Sequence, residues 1–132
     1  MQGNAVFASE YVSTTTTVTT TTETVVATVE ISPGAPGQVI DLDGWTVFTT
    51  GTGNTGVQLR WRRGNGITGT VVSDSGVMTP IGAAGSGDAY VHKGRDVPGD
   101  VTGQVYSLTI QQAGATGNGQ STQAHALAIA HD

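Results

Sequence analysis

Val57-Gln58-Leu59-Arg60-Trp61-Arg62-Arg63-Gly64-Asn65-Gly66 is the stretch that decides the fold. Val57, Leu59 and Trp61 alternate with Gln58, Arg60 and Arg62. That two-residue period puts the apolar side chains on one face of an extended strand. The Asn-Gly pair at 65–66 then offers the positive backbone angles that a tight reversal needs. A strand ending in a reversal predicts an antiparallel partner, and Ile67 to Ser73 reads as the returning strand.

The same rhythm extends in both directions. Upstream, Val25, Ala27, Val29 and Ile31 alternate with Val26, Thr28 and Glu30, and the Pro- and Gly-rich run from Ser32 to Gly37 ends the strand. Gln38 to Leu42 and Trp45 to Thr50 read as two strands on either side of an Asp43-Gly44 turn. Downstream, Ala89 to Lys93 reads as a short strand. Asp96-Val97-Pro98-Gly99-Asp100 reads as a turn-rich connection. Val105 to Gln111 is a strand with Tyr106, Leu108 and Ile110 on one face. After the glycine loop from Gly114 to Thr122, Gln123 to His131 is a closing strand with Leu127 and Ile129 inward. Eight to ten short strands and no useful helical periodicity predict an all-β, antiparallel two-sheet β-sandwich of jelly-roll type.

The first quarter differs in composition. Thr14–Thr17 and Thr19–Thr22 are two four-Thr runs split by Val18. β-Branched residues favour extended chain, so residues 1–24 are expected to form an extended arm and residues 25–132 the sandwich. A low-complexity linker is the alternative reading of the arm.

Composition narrows the function. Only 11% of the residues are charged, about half the usual share, which points to a surface that faces other protein. The net charge is −5 and the cations are Arg60, Arg62, Arg63, Lys93 and Arg95, so nucleic acid is not expected as a partner. With no cysteine, thiolate chemistry and Cys-ligated metals are excluded. Met1 to Glu10 has no signal-peptide pattern, and no window holds the roughly 20 apolar residues a membrane helix requires. Synthesis in a host cytoplasm, and no membrane partner, are the corresponding expectations.

Few residues could carry chemistry. His125 and His131 share one side of the last strand, about 20 Å apart in a straight strand, too far to share a metal within one chain. Asp41-Leu42-Asp43-Gly44 resembles the start of a calcium loop but lacks its later ligands. Asp96 and Asp100 flank a Pro-Gly turn. No nucleophile elbow, phosphate loop or His-Glu-x-x-His motif is present, so neither an enzyme nor a cofactor is expected. Arg60, Arg62 and Arg63 form the most suggestive cluster. On one strand, such arginines could clamp carboxylates of a neighbouring chain, touch a polyanion, or pair with local aspartates. Trp45 and Trp61 could form a sugar-stacking platform or simply fill a core.

The segment Val25 to Ile129 resembles the small β-sandwich proteins of tailed-bacteriophage virions. The resemblance lies in the Thr-rich lead into Thr28-Val29-Glu30-Ile31-Ser32-Pro33-Gly34, in residues 57–64, in Asp96-Val97-Pro98-Gly99 ahead of Val105 to Ile110, and in a glycine loop before an Ala-rich closing strand. Capsid decoration proteins, head fibres and tail domains share this style. The resemblance implies a particle-bound, oligomeric, non-enzymatic role. In that role the major capsid protein and further copies of the chain, a trimer foremost, would be partners at the capsid surface. Thr14, Thr15, Thr16 and Thr17 with Arg60, Arg62 and Arg63 would be the contact residues. The arm would lie along the capsid or add a strand to a neighbour. A carbohydrate- or receptor-binding domain of a fibre is the alternative.

Overall fold

The computed structural model describes residues 5–99 and 102–132. Its nine strands are β1 (Val6–Val12), β2 (Thr16–Val18), β3 (Thr24–Ile31), β4 (Val39–Thr49), β5 (Gly56–Arg63), β6 (Val71–Asp74), β7 (Gly87–Asp96), β8 (Gln104–Ala113) and β9 (Gly119–His131). They form two antiparallel sheets, one ordered β1-β9-β4-β7 with β2 continuing along β9, the other ordered β3-β8-β5-β6.

The pairs are nested. β5 pairs β6, β4 pairs β7, β3 pairs β8 and β1 pairs β9, and successive pairs fall in alternate sheets. This is one long hairpin rolled into a sandwich, the jelly roll predicted above. Its tip is the loop over residues 64–70 around the Asn-Gly pair, longer than the tight reversal expected, so the returning strand spans Val71–Asp74 and not Ile67 to Ser73. Gly64 and Gly66 take φ values of 105° and 128°, which suit glycine alone. The tip folds back over β8, where the Ser107 hydroxyl donates to the Gly64 carbonyl at 2.8 Å.

The two inner faces are unequal in volume. Trp61, Leu59, Tyr106, Leu108 and Ile110 from the four-stranded sheet are all fully buried. Opposite them β9 presents Ala124, Ala126, Ala128 and Ala130, also fully buried. Trp61 lies against two glycines. A Cβ on Gly44 would stand 2.7 Å from its Cζ2, and one on Gly94 would stand 3.1 Å from its Cδ1. Its indole N–H donates to the His92 carbonyl at 3.0 Å.

This packing corrects two readings of the sequence. Asp43-Gly44 is no turn: β4 runs unbroken from Val39 to Thr49, and Gly44 is the mid-strand gap that admits the indole. Leu127 and Ile129 do not point inward either. Alanines take the inner positions of β9, where Ala124, Ala126, Ala128 and Ala130 are fully buried, and the larger Leu127 and Ile129 turn out.

The Thr-rich quarter is sheet over much of its length. β1 and β2 hydrogen-bond to β9 of the same chain. Val18 is fully buried, and Val6, Ala8 and Val12 pack against the core. The boundary expected at residue 24 thus does not separate a free arm from the body. Val6, Val12 and Val18 anchor the segment, while most of its threonines face solvent. The chain crosses between the sheets at Thr20, held at φ 38°. Its carbonyl accepts from Gln112 at 2.9 Å and its N–H donates to Asn118 at 3.1 Å.

Candidate functional site

The two outer faces are built from opposite chemistry. On the four-stranded sheet the expected arginine cluster is present, but it closes on its own chain. Arg62 grips Glu23 with two hydrogen bonds, Nε to Oε2 at 2.7 Å and Nη2 to Oε1 at 2.8 Å. Arg60 reaches the same carboxylate at 3.2 Å and Asp74 at 3.0 Å. Thr109 donates its hydroxyl to Glu23 Oε2 at 2.6 Å. The pair is largely enclosed, with side-chain exposures of 15% for Arg62 and 12% for Glu23. Burial pushes the Glu23 pKa up, but the bonds from Arg62 and Thr109 and the charges of Arg60 and Arg62 outweigh it, leaving it below the ordinary value.

Arg63 behaves alike. It holds Asp96 through Nε at 2.8 Å and Nη2 at 2.6 Å, and the Tyr106 hydroxyl donates to the same carboxylate at 2.7 Å. Burial raises the Asp96 pKa, and the bonds from Arg63 and Tyr106 outweigh it and lower it on balance. Burial first, and then the bond to Asp96, push the Tyr106 phenol well above its ordinary value. The arginines expected to clamp a neighbour's carboxylates therefore hold carboxylates of this chain. Glu23 comes from the Thr-rich quarter, too distant in sequence for strand periodicity to reveal as a partner. Of the threonines expected at a contact, Thr14, Thr15 and Thr17 are exposed, while Thr16 is half-buried opposite Ser121.

The outer face of the five-stranded sheet is different. Register places three rows across β1, β9, β4 and β7: Phe7–Ile129–Asp41–Arg95, Ser9–Leu127–Asp43–Lys93 and Tyr11–His125–Trp45–Val91. In the third row, Trp45 stacks on His125 with centroids 6.0 Å apart and leans on Tyr11 at 6.2 Å. Beside this aromatic ridge lies a groove of about 560 Å³ lined by Leu127 and Ile129 together with Asp41, Asp43, Lys93 and Arg95. Phe7 is 69% exposed, Val91 57% and Tyr11 53%. Exposed large apolar side chains gathered on one sheet face make it the candidate contact surface of the molecule. Sequence reading missed it because Leu127 and Ile129 looked like core. The signal available was the run of alternate alanines, which fit a tightly packed inner face.

The other proposed centres dissolve into structure. Trp61 is in the core and Trp45 on the outside, so the two cannot share a sugar platform. Asp41 binds Arg95 at 2.7 Å and His131 at 2.6 Å. The bond to Asp41 holds the His131 pKa above its usual value. His92 is half-buried against Ser73 at 2.9 Å, and burial lowers its pKa. Asp100 lies outside the described residues. Among those described, no three His, Asp or Glu side chains are grouped to hold a metal ion.

No protein-family model and no curated protein matches the sequence. Solved structures match the fold. The infectious bursal disease virus VP2 subviral particle superposes with a TM-score of 0.61 at 11% identity, covering 98% of this chain and 33% of that one. The structure of the Gt strain of infectious bursal disease virus gives 0.58 at 10%, covering 98% and 37%. The tripod from the baseplate of bacteriophage Tuc2009 gives 0.52 at 10%, covering 97% and 64%. The chain thus spans about a third of the two bursal disease virus chains it resembles. At such identities the likeness is one of fold: an all-β antiparallel sandwich of the kind found in viral capsid and phage baseplate proteins.

Proposed function

We propose that this chain is a non-enzymatic structural protein of a virion, acting through its surfaces, and that its first form is a bacteriophage capsid decoration protein. One observation carries the reading. Among the described residues the arginines are all paired within the chain, while one sheet face leaves Phe7, Tyr11 and Val91 open to solvent beside a groove. Such a molecule is equipped to be leaned on, not to make or break bonds. Its partners in this reading are the major capsid protein and further copies of itself, three around an axis foremost, at the capsid surface. The exposed Thr14, Thr15 and Thr17 supply hydrogen-bonding groups at the edge beside β9. The likeness to viral capsid and baseplate sandwiches is consistent with this role. Cosedimentation tests it. The chain should travel with purified particles from its source, and a map of those particles should show it on the capsid; its absence from every particle fraction overturns the proposal.

A second reading, a carbohydrate- or receptor-binding domain of a fibre, is favoured by the Tyr11–Trp45–His125 row alone. Trp61 is shielded in the core, so a change in tryptophan fluorescence on adding oligosaccharides would report on Trp45. Loss of that change in Trp45→Ala would establish this reading.

A further inference from the structure

The open face of the five-stranded sheet has the properties of a surface made to meet its own copy. It carries a ridge and a groove side by side, the Tyr11–Trp45 pair next to the hollow lined by Leu127 and Ile129. A copy brought against it by rotation can seat its ridge in that hollow. The face is also electrically balanced. Asp41 and Asp43 stand with Lys93 and Arg95 around the groove, although the chain as a whole carries −5. Two such faces meet without the repulsion that two acidic surfaces would suffer.

Within the groove, Asp41 and Arg95 are paired to each other. Asp43 and Lys93 are opposite one another in register, yet their side chains form no ion pair within 4.0 Å. An unpaired acid and an unpaired base on one face are what a second copy could cross-match. Four strands at about 4.8 Å spacing and some eight residues at about 3.3 Å give a flat footprint on the order of 500 Å² before side-chain relief. Two such footprints bury roughly 1,000 Å² in all, below a standard contact of about 1,600 Å² but at the lower bound for a specific one.

We infer that copies of this chain pack on one another through the outer face of the β1-β9-β4-β7 sheet, the Tyr11–Trp45 ridge of one copy lodged in the Leu127–Ile129 groove of the next, with Asp43 of one copy facing Lys93 of another. The inference deepens the contact-forming reading and rests on it, but it does not require the partner particle to be a capsid.

The mass of the purified full chain by light scattering at tens of micromolar tests it. The expected result is a small integer multiple of the single-chain mass. Tyr11→Asp and Leu127→Asp, each shown to be folded by far-UV circular dichroism, should weaken association at least tenfold. Val71→Asp, on the other sheet and 42% exposed, should leave it unchanged. Asp43→Lys and Lys93→Asp should each weaken association, and the double exchange should restore it. A single-chain mass for the natural sequence overturns the inference, and so does an oligomer indifferent to Tyr11→Asp and Leu127→Asp. A single chain whose Trp45 fluorescence shifts with chito- or galacto-oligosaccharides also overturns it and assigns the face to sugar. Cosedimentation separates the two proposals. An oligomer that binds no particle keeps this inference and removes the virion role, and a monomer that binds particles does the reverse.

Discussion

The outer face of the four-stranded sheet and that of the five-stranded sheet are the two halves of one sandwich surface, and they are finished differently. The first is closed by its own chain. Glu23 supplies the counter-charge for Arg60 and Arg62, and Thr109 completes its hydrogen bonds; off that face, Asp96 of β7 in the other sheet does the same for Arg63 together with Tyr106. The second leaves Phe7, Tyr11 and Val91 in solvent and Asp43 and Lys93 without each other. The contrast teaches that charge alone is a poor guide to an interface in this molecule. The arginine cluster, conspicuous in sequence, is internal mortar, whereas the plain closing strand lies in the open surface.

The contrast can be broken by mutation. The largest effect is expected at Glu23→Ala, which leaves the enclosed Arg62 without a carboxylate and Arg60 with Asp74 alone. A loss of about 3 kcal/mol should appear as a lower urea midpoint at unchanged slope. Asp96→Ala strips Arg63 and the buried Tyr106 hydroxyl of their acceptor, and should cost about 2 kcal/mol by the same measurement.

Acid should act on these two internal pairs. Glu23 and Asp96 have folded pKa values below their ordinary values of 4.5 and 3.8. Their contribution is therefore complete above the unfolded values and is lost as pH falls through the lowered folded ones. Urea midpoints should drop below pH 4.5, less steeply in Glu23→Gln. Equal slopes in the two proteins would remove Glu23 from the account.

On the open face the costs should be small. Phe7→Ala and Tyr11→Ala, measured at dilutions where single chains prevail, should change stability by no more than about 0.5–1 kcal/mol. A loss matching Glu23→Ala would erase the distinction between the faces. The smallest signal is His131. Its pKa, raised by Asp41, gives a contribution present below the unfolded value and lost as pH rises through the folded one. Nuclear magnetic resonance titration should find it elevated, and Asp41→Asn should return it toward the ordinary value.

Much of the architecture was legible in residues. The alternation of Val57, Leu59 and Trp61 and the one-sided Tyr106, Leu108 and Ile110 each predicted what the structure contains, because each rests on local backbone geometry; the Asn-Gly pair marked the reversal but not its length, since the strand expected from Ile67 begins at Val71. Two of the misreadings concern packing across the sandwich. Whether β9 turns its alanines or its Leu127 and Ile129 inward depends on how much volume the facing sheet brings. Whether Gly44 bends the chain or makes room within a strand depends on the Trp61 ring that lies against it. Neither can be settled by the strand's own pattern. The site was less legible than the fold, since Glu23 finds Arg62 only after the chain has rolled up.

The nesting of strand pairs also sets an order of assembly. Arg60 meets Asp74 across the tip, Trp45 meets Val91 further out, Thr28 meets Ser107 beyond that, and Ser9 meets Leu127 last. Bringing Ser9 to Leu127 in an open coil means closing nearly the whole chain at once, but each inner pair already formed shortens the remaining gap. The molecule is thus suited to zip from its middle toward its ends, at the millisecond-to-second pace of high-contact-order β proteins. The segment that closes last, β1, is also the one whose Phe7 and Tyr11 border the open face, so that face becomes complete only at the final step of folding.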